Sequence, residues 1–85
     1  MSSNTLKEDF ERMVHKVNEA PEPFAVDIML KLYALYKVAT QNQENPSGDK
    51  PYISAFKANA LFQARHLDTE KAMEQYIEIA QKELK

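Results

Sequence analysis

The stretch LKLYALYKVAT, residues Leu30 to Thr40, decides how the rest of this sequence is interpreted. It predicts a helix over residues 24–40, because apolar residues recur at spacings of three and four. At about 100° per residue, one stripe of this helix suits a protein core. That stripe consists of Ile28, Leu32, Leu35 and Ala39. A second stripe, about a quarter-turn away, consists of Met29, Tyr33, Tyr36 and Thr40, with Lys37 at its edge.

The second stripe has two interpretations. Tyrosines beside a core often pack their rings and leave the hydroxyl in water, and a nearby lysine extends its ammonium to solvent. Alternatively, the rings, hydroxyls and ammonium form a surface for a ligand that joins a flat or apolar group to an anion. Lys57 and Tyr76 lie among apolar residues of other segments and pose the same choice. The residues alone leave both interpretations open.

Three further segments have helical periodicity, and none has the alternation of a strand. The first covers residues 5–19, where Thr5 and Glu8 fit a capping box. The third covers residues 53–65, and the fourth begins after Asp68, a favourable N-cap residue. The apolar side of the third helix is predicted to contain Ile53, Phe56, Ala60, Ala64 and Leu67. The sequence therefore predicts an all-α fold, a four-helix bundle.

The connections between the helices constrain the topology. Pro21 and Pro23 end the first helix and open the second, because proline suits a first turn and not a helix interior. The first and third connections are short, so helices 1 and 2, and helices 3 and 4, are expected to be antiparallel neighbours. The loop from Gln41 to Tyr52 could span about 40 Å, longer than a helix of about 23 Å. This predicts an up-down-down-up bundle, with an up-down-up-down bundle as the alternative.

Composition excludes several classes of function. The net charge of −2 argues against a general nucleic-acid binder, and no apolar run is long enough to span a membrane. Without cysteine there is no thiolate metal site, and His15 and His66 have no second histidine at metal-ligand spacing. Neither histidine is paired with a nucleophile, so we expect no enzyme and no cofactor. These features predict a soluble cytoplasmic monomer with one domain, residues 1–85.

The order of motifs resembles the acyl-CoA-binding protein family over most of the chain, from Phe10 to Leu84. The similar segments are LYALYKVAT, FKANA and EKAMEQYI, separated by a proline-containing loop. The resemblance implies the up-down-down-up bundle and a protein that binds long-chain fatty acyl-CoA, acting as an intracellular carrier and buffer without catalysis. It also implies transient contact with acyl-CoA-using enzymes or a membrane surface.

The resemblance also implies roles for individual residues. Tyr33, Lys37 and Lys57 are similar to the residues that hold the CoA phosphates, and Tyr36 to the ring that contacts adenine. Tyr76 is similar to the tyrosine near the ribose and the acyl end. Further groove residues implied by position are Met29, Leu30, Val14, Val17 and Asn18. These assignments give the second stripe of residues 24–40 a ligand, acyl-CoA.

Three departures from the family pattern bear on affinity. Ala58 and Leu61 stand where the family usually has tryptophans, and Asn18 stands where a helix 1 lysine is common. The chain has no tryptophan at all. The alternative function is therefore a helical protein-interaction module on the same scaffold, with weakened or lost ligand binding. In either case Lys37 and Lys57, with Lys50 or Lys16, could make the local potential positive despite the acidic net charge.

Overall fold

The computed structural model describes residues 3–41 and 50–84, with side chains from Thr5 onward. It contains four helices: α1 (Ser3–Asn18), α2 (Val26–Ala39), α3 (Pro51–Ala64) and α4 (Thr69–Glu83). There is no strand within these two described ranges. The chain is an all-α, four-helix bundle of the up-down-down-up type, as predicted. Most of the predicted loop between α2 and α3 lies outside the described residues.

The main core is formed by three of the helices, α1, α2 and α4. Its buried residues are Phe10 and Met13 of α1, Leu32, Leu35 and Ala39 of α2, and Ala72, Tyr76 and Ala80 of α4. Ala72 and Ala80 have no exposed surface, and their small side chains allow α4 to approach its neighbours closely. The predicted core stripe of α2 is therefore confirmed, and Ile28 packs against its margin.

The helices pair differently from the expectation based on connection length. Backbone packing is extensive between α2 and α4, between α2 and α3, and between α1 and α4. The expectation that α1 and α2, and α3 and α4, would be antiparallel neighbours is wrong for the packing of their backbones. Helices α1 and α2 nevertheless meet through side chains, where Phe10 stacks on Tyr36. A short connection brings the ends of two helices together, but it does not require their lengths to pack. Helix α3 thus lies mainly against α2, beside the core rather than within it.

Two predicted helix starts differ from the structure because of local chemistry. Helix α1 begins at Ser3, so Thr5 lies inside its first turn and is not the N-cap of a capping box. Helix α2 begins at Val26, since Ala25 has an extended conformation with ψ of 149°. Pro21 and Pro23 therefore lie in the connection and do not open α2. At α4 the prediction is confirmed, because the Asp68 side chain accepts a hydrogen bond from the Lys71 amide at 2.7 Å.

Helix α3 begins at Pro51, where proline occupies the first turn, two residues before the predicted start. Its buried residues are Leu61 and Ala64. Phe56, predicted on the apolar side, is 56% exposed. The apolar residues of this helix surround its axis, so periodicity alone could not identify the face that packs against α2.

Candidate functional site

A groove beside α2 is bordered by aromatic and aliphatic side chains from three helices and the first connection. Its volume is about 340 Å³, within the range of small-molecule sites. The lining residues are Val14, Val17, Asn18, Phe24, Met29, Leu32, Tyr33, Tyr36 and Tyr76. We call this cavity the aromatic groove. It is large enough for one part of an extended ligand, and its walls favour a flat or apolar group.

Two ammonium groups converge on one wall of the aromatic groove. The Nζ atoms of Lys37 and Lys57 lie 5.5 Å and 5.2 Å from the centroid of the Tyr33 ring. Both distances are those of a cation–π contact. Lys37 is 7% exposed and belongs to α2, whereas Lys57 belongs to α3. The packing of α3 on α2 therefore brings two ammonium groups to the ring of one tyrosine, and ammonium and phenol groups together are suited to phosphate.

Two of the tyrosines that line the groove belong to a cluster of three aromatic rings with Phe10 of the core. Phe10 stacks on Tyr36, with ring centroids 6.1 Å apart, and meets Tyr76 edge-on at 5.1 Å. Burial, and secondarily the nearby Tyr36, raises the pKa of Tyr76 to about 12. Tyr76 thus remains a neutral hydrogen-bonding group at physiological pH. Because Phe10 is on α1, Tyr36 on α2 and Tyr76 on α4, the two tyrosine rings are held where these three helices meet.

The structure brings most of the sequence-predicted site residues together. Seven of the ten line the aromatic groove, and Lys37 and Lys57 flank it through Tyr33. The exception is Leu30, which is half-buried on α2 but is not among the lining residues. The sequence analysis missed Phe24 and Leu32 as lining residues. Leu32 was assigned wholly to the core, and Phe24 follows two prolines in a connection, where periodicity gives no signal.

The positions where the resemblance implies tryptophan have different environments. Ala58 is exposed on α3, whereas Leu61 is buried and contributes to packing. Phe62 is 71% exposed, and Phe56 is also exposed. Leucine therefore fills one of the two positions inside the fold. At the other position a methyl group leaves the surface of α3 without an aromatic ring.

A larger cavity of about 530 Å³ adjoins the aromatic groove and shares Val14 and Tyr36 with it. Its rim contains Lys7 and Glu11, whose opposite formal charges leave no net attraction for a polyanion. Lys37 and Lys57 lie at the Tyr33 ring, which lines the aromatic groove but not this larger cavity. The aromatic groove is therefore the better candidate for an anionic ligand, although it is the smaller cavity.

No group of three or more histidine, cysteine, aspartate or glutamate side chains within the described residues could hold a metal ion. None of the helices in this part of the chain is both long and apolar enough to cross a membrane.

Comparison with known proteins agrees with this geometry. The profile of the family described as "Acyl CoA binding protein" matches residues 7–80. The crystal structure of acyl-CoA-binding protein 2 from Oryza sativa is similar, with a TM-score of 0.82 and 27% identity. That match covers 96% of this chain and 91% of the rice chain. No curated protein sequence gives a significant match. The extent of the profile match, which includes α2, α3 and most of α1 and α4, shows that this chain belongs to the acyl-CoA-binding protein family.

Proposed function

We propose that this protein binds long-chain fatty acyl-CoA thioesters and acts as a non-enzymatic carrier and buffer for them. The observation on which this rests is the convergence of Lys37 and Lys57 on Tyr33, beside a groove of aromatic walls. Coenzyme A joins a flat base to a diphosphate and a 3′-phosphate. The groove suits the base and the ammonium pair suits a phosphate. Membership of the acyl-CoA-binding protein family supports the same ligand.

The preference for a long acyl chain has a separate physical basis. Large apolar side chains are exposed on the two helices that bear the lysines, namely Val26 and Met29 on α2 and Tyr52 and Phe56 on α3. An acyl chain lying against such surface gains about 0.8 kcal/mol for each buried methylene. A long chain can therefore contribute more than the polar contacts of the head group, each worth about 1.5–3 kcal/mol.

The sequence-based expectations of a cytoplasmic location, a monomeric state and a single domain over residues 1–85 belong to this proposal. So do transient contacts with enzymes that make or use acyl-CoA, or with a membrane surface. A carrier must release its ligand to such acceptors, which favours contacts that are brief rather than permanent.

Calorimetric titration with palmitoyl-CoA tests the proposed function. We expect binding at micromolar or lower concentration, and at least tenfold weaker binding of CoA without an acyl chain. Absence of heat with palmitoyl-CoA would instead favour the helical protein-interaction module. The exposed Phe62 and Tyr52 would then be the first positions to substitute in a search for its partner.

Removing either ammonium group tests the location of the site. Lys37→Ala and Lys57→Ala are each expected to weaken palmitoyl-CoA binding by about 10- to 100-fold, because each removes a charged hydrogen-bond donor. Lys37→Met retains most of the buried stem and should weaken binding similarly. Lys31→Ala is the matched control, since Lys31 is exposed on the same helix, about 120° from Lys37. Wild-type affinity in both site variants, with unchanged circular dichroism, would show that the site lies elsewhere.

A further inference from the structure

The aromatic groove and the lysine pair form two compartments of different chemistry. Of the nine residues that line the groove, none has a charged side chain, and the polar ones are three tyrosines and Asn18. The ammonium groups lie at the Tyr33 ring but not in the groove lining. An uncharged heteroaromatic group therefore suits the groove, while its attached phosphate can remain at the lysines. Within a coenzyme A ester, the purine base is the group with this chemistry.

Asn18 is the one residue of the groove lining with both a hydrogen-bond donor and an acceptor in a planar amide. It is the last residue of α1 and is exposed at the wall of the groove. The neighbouring Glu19 carboxylate pairs with His15, and both of these side chains are exposed. The amide of Asn18 is therefore the lining group that can accept and donate side by side in one plane, as the edge of a bound base requires.

The C-terminal end of α1 favours ligand groups that donate hydrogen bonds. A helix C-terminus has a partial negative charge from its last carbonyl groups. Two of these, on His15 and Val17, accept hydrogen bonds from the amides of Glu19 and Ala20. The field there favours a ligand group that donates hydrogen bonds over one that presents a lone pair. An exocyclic amine on the base is favoured for this reason, and an exocyclic oxygen is disfavoured.

We propose that Asn18 is a specificity-determining residue that recognises the amino edge of the purine base. This inference rests on the proposed function. An asparagine amide can accept a hydrogen bond from the adenine 6-amine and donate one to N7 at the same time. Hypoxanthine has an oxygen in place of that amine. Its O6 and N7 both accept, so the Asn18 carbonyl would lose its donor and face a like partial charge.

The test compares palmitoyl-CoA with its deaminated analogue, in which hypoxanthine replaces adenine. We expect the wild-type protein to bind the adenine form about tenfold more tightly. In Asn18→Ala the ratio of the two affinities, that for the adenine form divided by that for the hypoxanthine form, should fall to about one. In Asn18→Lys it should pass below one, because an ammonium only donates hydrogen bonds and pairs with O6 and N7. Asn59→Ala, at an exposed position on α3, is the matched control and should keep the wild-type ratio.

The outcomes separate this inference from the proposed function. No binding of palmitoyl-CoA by the wild-type protein would overturn both. Tight binding of palmitoyl-CoA with a ratio of one in the wild type, or with the wild-type ratio retained in Asn18→Ala, would overturn the role of Asn18 alone. Because the ratio compares two ligands on the same variant, a general loss of affinity or stability does not alter it.

Discussion

At the scale of single residues, the Tyr76 hydroxyl links stability to alkaline pH. Burial and the neighbouring Tyr36 raise its pKa to about 12 in the folded protein, against about 10 in the unfolded chain. Above pH 10 the unfolded state releases this proton first. The contribution of this protonated hydroxyl to the free energy of unfolding is therefore fully present below pH 10, and it is lost as the pH rises towards 12. The loss amounts to about 2–3 kcal/mol in the free energy of unfolding.

Urea unfolding of the wild type and Tyr76→Phe, measured from pH 8 upward, checks this pH dependence. Phenylalanine keeps the ring and its edge-on contact with Phe10 but has no proton to lose. The stability of the wild type relative to the variant should fall as the pH rises beyond 10. Parallel pH profiles for the two proteins would contradict the shifted pKa.

Single residues also show what sequence patterns could and could not predict about the site. Met29, Tyr33 and Tyr36 were predicted to share a surface because helical geometry alone places them together, and all three line the groove. Lys37 is four residues after Tyr33 on α2, so helical geometry also places these two side chains together. The contact of Lys57 with the same ring depends on the register between α2 and α3. Periodicity within one helix contains no information about that register, so this contact appears only in the structure.

At the scale of helices, the start of α4 is fixed by one side chain. Asp68 accepts a hydrogen bond from the Lys71 amide and lies at the positive end of the helix dipole. Asp68→Ala should lower the free energy of unfolding by about 1 kcal/mol. Asp68→Asn retains the capping oxygen, so its free energy of unfolding is expected to fall by less than that of Asp68→Ala. Chemical denaturation of the three proteins measures the difference.

A result in which the alanine and asparagine variants at Asp68 were equally destabilised would contradict capping and favour a purely electrostatic role.

The same helix shows why some helix boundaries are predictable from sequence. Asp68 stands alone before a periodic segment, so one residue fits the cap. In α1, Ser2, Ser3, Asn4 and Thr5 are all cap-forming types, and the choice among them depends on packing rather than on local preference.

At the scale of the whole molecule, a chain of 85 residues has a thin margin of stability, so a ligand should alter its unfolding strongly. Palmitoyl-CoA at one hundred times its dissociation constant adds about 2.7 kcal/mol. For a domain of this size that corresponds to a rise in Tm of roughly 10–20 °C. Thermal unfolding followed by far-UV circular dichroism measures the shift.

CoA without an acyl chain, at the same concentration, should produce a smaller rise in Tm than palmitoyl-CoA. Equal shifts with the two ligands would contradict a contribution from the acyl chain. A shift with palmitate alone as large as that with palmitoyl-CoA would contradict recognition of the phosphates by Lys37 and Lys57.

The global fold was more predictable than the packing within it. Four periodic segments predicted a four-helix bundle. The long connection permitted the up-down-down-up order without requiring it, and the family resemblance implied that order. The pairing of the helices was wrong in the prediction, because connection length restricts where helix ends lie and not which faces meet. The apolar side of α3 was predicted in part, since Ala64 is buried and Ile53 and Ala60 are partly buried, whereas Phe56 is exposed.

The distribution of tyrosines has a practical consequence. Three of the four tyrosines line the aromatic groove, and the chain has no tryptophan to mask their emission. The remaining one, Tyr52, is exposed on α3 outside the groove. The intrinsic fluorescence of the unlabelled protein therefore originates mostly from the proposed binding surface, and a base stacked there would quench it. Tyr52→Phe would remove the background signal and leave a protein whose emission reports occupancy directly.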